Sequence, residues 1–231
     1  MSFEVICPGC GALSGPSVGV CPFCKTVMSN SSNEKFAQSK SLAEIYESGR
    51  LDLALSLARK LYLEDPDSKT NIGFILLFVK ILIETDAPSM QIRSVLSEAR
   101  LIDPSNGDVL DYIEFIDAKN MLKKGYDDNG ERQLKSILRR SPKHLQAHFL
   151  LGTHLFWIDE QTQQAIPHLE TCVRLAPNHL RSWGCLGAIY RKLGNSQLAK
   201  AAFKRCIELE TNVTMKSFFE KQIRDIEAIP K

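Results

Sequence analysis

Cys7-Pro8-Gly9-Cys10 and Cys21-Pro22-Phe23-Cys24 place four thiols in two matched pairs near the start of a chain of 231 residues. A Cys-x-x-Cys turn aims both sulfurs at a common centre, and two such turns complete a tetrahedron around one zinc ion, with Pro8 and Pro22 pre-setting the bends. A closed shell of four thiolates leaves no open position for substrate or activated water, so the chemistry expected of Cys7, Cys10, Cys21 and Cys24 is structural, not catalytic. The alternatives are a dithiol redox pair or two disulfides. A redox pair needs no second copy of the turn, and the intervening loop supplies too little core for a disulfide framework. Thiolates at an exposed site also allow a zinc sensor that releases its metal on oxidation.

The other residues with chemical potential are scattered. His144 and His148 stand four apart and could clamp a metal from one helix, but Leu145-Gln146-Ala147 lacks the glutamate of the zinc-protease pattern. His154, His168 and His179 have no serine or carboxylate placed with them in a catalytic order. Cys172 and Cys206 read as small core residues, and Cys185 has no neighbour in sequence that would make it a nucleophile. The chain is therefore expected not to be an enzyme.

The 29 Lys and Arg against 27 Asp and Glu give a formal charge of +2, too small and too dispersed to imply nucleic acid or an anionic membrane. Within residues 1–28 the only basic side chain is Lys25, so phosphate contacts by that segment are disfavoured. Isolated cysteines and the absence of a basic-apolar leader point to a reducing cytoplasm. The most apolar run, Ile72 to Ile83, is too short for a bilayer and contains Lys80.

Residues 1–28, rich in Gly, Pro and Cys with alternating Phe3, Val5, Val18 and Val20, read as short strands leading into the two turns. Residues 29–34 read as a polar linker. From Glu34 onward the pattern becomes helical, punctuated by Asp65-Pro66, Asp103-Pro104, Ser141-Pro142 and Ala176-Pro177, with the prolines 38, 38 and 35 residues apart. Ala54, Ile92, Gly130 and Ala165 each fall twelve residues before one of these prolines, which marks an internal repeat. Helices are expected near 34–48, 51–63, 71–84, 88–101, 107–124 and 130–140, with a wide turn over Gly125 to Gly130.

The last copy carries Trp183-x-x-Leu186-Gly187-x-x-Tyr190 and then Ala199-x-x-x-Phe203 with Cys206. This resembles the tetratricopeptide repeat, and the preceding copy keeps Leu151-Gly152, Leu155, Ala165, Leu169, Cys172 and Pro177, with His148 in the tryptophan slot. The first 28 residues resemble a zinc ribbon. The resemblance implies a mainly α chain: an N-terminal β-type zinc ribbon (1–28), a linker (29–34), an α-solenoid of about five helical hairpins (35–213) and a C-terminal capping helix (214–231), whose stripe is Phe218, Phe219, Ile223 and Ile226.

In such arrays the first helix of each hairpin faces the concave side. The repeat phase places there Phe36, Ser39 and Ala43; Phe74, Leu77 and Ile81; Tyr112, Phe115 and Lys119; Gln146, Phe149, Thr153 and Phe156; and Arg181, Ala188 and Arg191. An exposed strip this apolar calls for an occupant. Two readings stay open: curvature or the folded-back N-terminus covers the rings, or the strip receives an amphipathic helix or extended peptide of another protein, with Arg181 and Arg191 favouring acidic residues. The family's groove for a C-terminal carboxylate uses Lys and Asn. Here Ala43, Ile81, Lys119, Thr153 and Ala188 stand in that lining, which argues against that ligand. The expected function is a non-enzymatic adaptor or scaffold; the alternatives are a zinc-ribbon nucleic-acid-associated regulator or a zinc-thiolate redox sensor.

Overall fold

The computed structural model describes residues 5–6, 13–14, 42–157 and 161–228. The chain separates into two compact units, Met1–Asp86 and Ala87–Lys231. The four N-terminal cysteines, the linker, Phe36 and Ser39 lie outside the described residues.

In the first unit, β1 (Val5–Ile6) pairs antiparallel with β2 (Leu13–Ser14), in the register Val5 to Ser14 and Ile6 to Leu13. Residues 42–47 are helical (α1), and Gly49 with φ 80° ends that helix without the steric cost a side chain would bring. The next helix, α2 (Leu51–Glu64), buries Ala54, Leu57 and Ala58. It stops at Asp65-Pro66, because the residue before proline is disfavoured in helical geometry. A short 3-10 turn, Pro66–Lys69, follows, held by the Ser68 hydroxyl donating to the Leu61 carbonyl at 2.8 Å. Asn71 then caps α3 (Ile72–Glu84), its side-chain oxygen accepting the Phe74 N–H at 3.0 Å. The apolar character of α3 is consistent with seven buried residues among its thirteen. Tyr62 packs on Phe78 with centroids 5.1 Å apart, and Tyr46 donates to Glu84, which ties α1 and α2 to α3.

The second unit is a succession of antiparallel helices, each packed on the next: α4 (Ser89–Ile102), α5 (Gly107–Lys123), α6 (Asp127–Arg140), α7 (Leu145–Trp157), α8 (Thr162–Leu175), α9 (Leu180–Lys192), α10 (Ser196–Leu209) and α11 (Val213–Glu227). Asn106, Asn195 and Asn212 cap their helices through side-chain oxygens. One expected boundary is wrong. The wide turn over Gly125 to Gly130 is in fact short: Gly125, with φ 79°, reverses the chain, and Asp127 and Asp128 already form the first turn of α6. Carboxylates there suit the positive end of the helix dipole. The capping helix α11 buries Phe219 and Ile226 but leaves Phe218 half exposed, since neighbouring residues on a helix cannot share a face.

Small residues set the helix separations. A Cβ added at Gly130 on α6 would lie 2.5 Å from Leu122 Cδ2 and 3.1 Å from the Ala118 carbonyl on α5. At Gly152 on α7 it would lie 2.9 Å from Leu169 Cγ, and at Gly187 on α9 it would lie 2.5–2.8 Å from the Phe203 ring. In α5–α6 the glycine is therefore on the second helix, facing Ala118; in the next two hairpins it is on the first. The α5–α6 pair is also clamped by Arg140, whose guanidinium donates to buried Asp111 at 2.7 Å and to Glu114 at 2.6 Å.

Two substitutions on α9 should move stability in opposite directions. Gly187→Ala gains about 0.5–1 kcal/mol of helix propensity but drives a methyl into a buried ring, an overpacking cost of about 1–3 kcal/mol. The expected net is a loss of about 1 kcal/mol or more. At Gly184 the added carbon would meet only Phe219 Cε1, at 4.0 Å, so Gly184→Ala should stabilise by about 0.5 kcal/mol. Urea unfolding of both variants checks the signs.

Candidate functional site

Most of the expected strip of rings is closed by the chain itself. Phe74, Tyr112, Phe115 and Phe156 are only 7, 4, 2 and 5 % exposed, and Ile81 is fully buried. These residues form no open groove floor. In the second unit the cover comes from the next hairpin. His144, at the start of α7, lies over Tyr112 and Phe115 with ring centroids 4.6 and 5.6 Å away. The Tyr112 hydroxyl donates to Gln146 Oε1 at 3.0 Å. One hairpin later His179, at the start of α9, meets the Phe149 ring edge-on at 5.0 Å. Phe115 and Phe149 occupy the same slot, three residues before Ala118 and Gly152, so the same device recurs.

Both histidines are fixed by local bonds. His144 Nδ1 accepts the Ala147 N–H at 3.2 Å, acting as the cap of α7. His179 Nδ1 lies 2.6 Å from the Ser182 hydroxyl oxygen. The sequence signal for this lid was present and unused: Pro142-Lys143-His144 and Pro177-Asn178-His179 repeat a histidine two residues after the helix-breaking proline.

Among the described members of the strip, the two exposed ones are the arginines of α9. Phe149 and Leu77 are half-buried, Lys119 and Thr153 partly covered, and Arg181 and Arg191 exposed. The Arg181 guanidinium sits 4.9 Å from the centre of the Phe149 ring, a cation–π contact from α9 to α7. Arg191 donates to Gln222 on α11, and Gly184 faces Phe219 of the same helix. Arg181, Gly184, Ala188 and Arg191 therefore form one stripe of α9 beside α7 and α11. Two small residues lie between two cations. Lys192, one residue on, covers the Phe156 ring at 5.5 Å.

Among the described residues the remaining titratable groups do not assemble a catalytic constellation. Burial pushes the Cys185 thiol up to about 11 and Cys206 up to about 12, so both stay protonated and poorly nucleophilic at neutral pH. Cys172 and Cys206 are fully buried in equivalent slots, near the carbonyls of Leu145 and Leu180 respectively. His144 and His148 do not clamp a common metal, because His144 is committed to its cap and His148 turns to His168, with Nδ1 atoms 2.9 Å apart. Sequence reasoning did not connect that pair. Among the described residues no helix is long and apolar enough to cross a membrane, and no group of three or more His, Cys, Asp or Glu could hold a metal ion.

With this geometry in place, residues 180–212, which hold α9 and α10, match the family model of the tetratricopeptide repeat. Among solved structures the chain is similar to a thermophilic tetratricopeptide protein of Thermus thermophilus, at 15% identity over 82% of this chain and 99% of that one, with a TM-score of 0.52. It also aligns with YrrB, described as a tetratricopeptide protein with an unusual peptide-binding site, at 14% identity over 82% and 94% of the two chains, TM-score 0.43. A further alignment is with MamA, at 17% identity over 73% and 93%, TM-score 0.41. Among curated proteins no sequence matches the chain. The fold is that of a tetratricopeptide-repeat protein: mainly α, built from paired helices.

Acid should weaken it in a defined window. Burial, assisted by the Arg181 charge, lowers His179 to about 4; burial and then the His148 charge lower His168 to about 4. Between about pH 6.5 and 4 the unfolded chain binds protons at these rings that the folded chain refuses, so stability is full above the window and falls as pH drops through it. His179 alone accounts for up to about 3 kcal/mol, and half-buried His168 for less. Urea midpoints at pH 7 and 4.5 should show this fall, and His179→Asn should flatten it.

Proposed function

We propose that the chain is a non-enzymatic interaction scaffold that captures an acidic, extended or amphipathic segment of another protein on the α9 stripe. The observation that carries this reading is the pairing of exposed Arg181 and Arg191 across Gly184 and Ala188. A floor with no bulky side chain lets a backbone approach closely. The flanking guanidiniums offer forked donors to carboxylates, and Phe149 supplies an apolar edge already stacked under one of them. Tetratricopeptide proteins in general mediate protein–protein interactions, which agrees with this reading. It narrows the expected binding surface: within the second unit Tyr112, Phe115 and Phe156 act as packing, while Phe149, Arg181 and Arg191 act as contacts, with Lys119 as a peripheral candidate; Phe74 and Leu77 lie in the first unit and take no part in the stripe.

The N-terminal segment is proposed to hold one structural zinc through Cys7, Cys10, Cys21 and Cys24, as a second contact surface. The reading rests on the matched Cys-x-x-Cys spacing and agrees with the antiparallel pairing of β1 and β2 on either side of residues 7–12. Zinc there would supply folding energy to a segment with little apolar content of its own, and no activated water.

Two measurements check these assignments. A photo-reactive residue in place of Ala188 should cross-link a discrete protein in the source cells. Arg181→Glu combined with Arg191→Glu should cut that yield about tenfold with helical content unchanged. An adduct indifferent to the charge reversal would rule the stripe out. Separately, metal analysis should find one zinc per chain, and chelation should leave the helical signal intact, because the helices are held by their neighbours.

A further inference from the structure

The α7–α8 seam contains a polar pair that the interaction reading does not use. His148 occupies the slot filled by Trp183 one hairpin later, and the two make the same bond: Trp183 Nε1–H donates to the Pro177 carbonyl at 2.8 Å, and His148 Nε2 lies 3.0 Å from the Pro142 carbonyl. A carbonyl can only accept, so the His148 proton is on Nε2 and its Nδ1 carries a lone pair. That lone pair meets His168 Nδ1 at 2.9 Å. His168 in turn stands where the last hairpin has buried Ala202, three residues after Ala165 as Ala202 is three after Ala199. The last hairpin thus fills this seam with a large and a small residue. The one before it uses two imidazoles with facing nitrogens.

The geometry points to a binding site for one borderline divalent cation, copper(II) or nickel(II), held between His148 Nδ1 and His168 Nδ1. Metal–imidazole bonds of about 2.0–2.1 Å with nitrogens 2.9 Å apart subtend roughly 90°, the cis angle of tetragonal and octahedral ions and tighter than the tetrahedral angle zinc prefers. The Pro142 carbonyl plays the orienting part that such ligands usually require, fixing the tautomer that leaves Nδ1 bare. On binding, the His168 proton moves from Nδ1 to Nε2, so the pair keeps its two protons and its neutrality. Burial lowers both rings below the usual histidine range, and both are neutral and competent at pH 7.

The surroundings set the strength. Arg174 lies near His148, and Lys135, paired with Glu131, lies near His168, so the field disfavours a bare cation and the site depends on imidazole coordination. This selects nickel or copper over magnesium or calcium. With no third protein ligand in reach among the described residues, water completes the shell, and binding is exchangeable. Its consequence is a staple between α7 and α8 across twenty residues of chain.

The hairpin that follows supplies the control. His148→Trp with His168→Ala installs the neighbouring hairpin's own solution, retaining an N–H for the Pro142 carbonyl and the seam's volume. Calorimetric titration of the zinc-loaded full chain with nickel(II) at pH 7 should show one more nickel per chain in the wild type than in the double variant, with a rise in melting temperature confined to the wild type. Equal nickel uptake by the two proteins, or none by either, would overturn the site. His168→Gln, which changes only the α8 partner, should also lose the extra ion; its retention would equally exclude the pair.

Discussion

The closeness of the helices within the last three hairpins of the second unit is the constraint from which the rest follows. In the hairpins α5–α6, α7–α8 and α9–α10 the sequence supplies a residue with no side chain where one helix approaches the next: Gly130 against Ala118, Gly152 against Leu169, Gly187 against Phe203. The separations are too small for even one more carbon. Close packing at these points fixes the register of each pair, and register decides which side chains face the neighbouring hairpin and which face water.

That register explains why an apolar strip is not an open one. In two successive hairpins the ring at one slot, Phe115 or Phe149, is met by a histidine at the start of the following first helix. The two contacts end differently. His144 lies over Phe115 as a stacked ring and buries it. His179 meets Phe149 at its edge and leaves part of the ring to Arg181. A repeated device therefore yields a closed core at one step and a partly open, cationic surface at the next. The large side chains needed to close it are missing at Gly184 and Ala188.

The seam on the other side of the same helices shows how one slot tolerates unlike chemistry. Trp183 with Ala202 and His148 with His168 satisfy the same demand for volume and for one N–H toward a proline carbonyl. Only the second pair leaves a further nitrogen on each ring. Function in a repeat protein can arise at such a substitution without disturbing the ladder, because each hairpin rests mainly on its immediate neighbours.

Helix positions were legible from local chemistry. Proline punctuation and apolar periodicity place α2 to α5 within a residue or two, since chain termination and amphipathicity are short-range effects. The start of α6 was missed because Gly125 was grouped with Gly130 as one turn, although only Gly125 adopts positive φ. The sequence by itself determined the repeat, the small residues Gly152 and Gly187 at two helix crossings and the helices that carry Tyr112, Phe115, Phe149, Arg181 and Arg191. Only the tertiary structure decided which of those remain accessible and that His148 meets His168. Burial and pairing depend on residues about 20 to 35 positions away on the next helix, and periodicity within one helix carries no information about them.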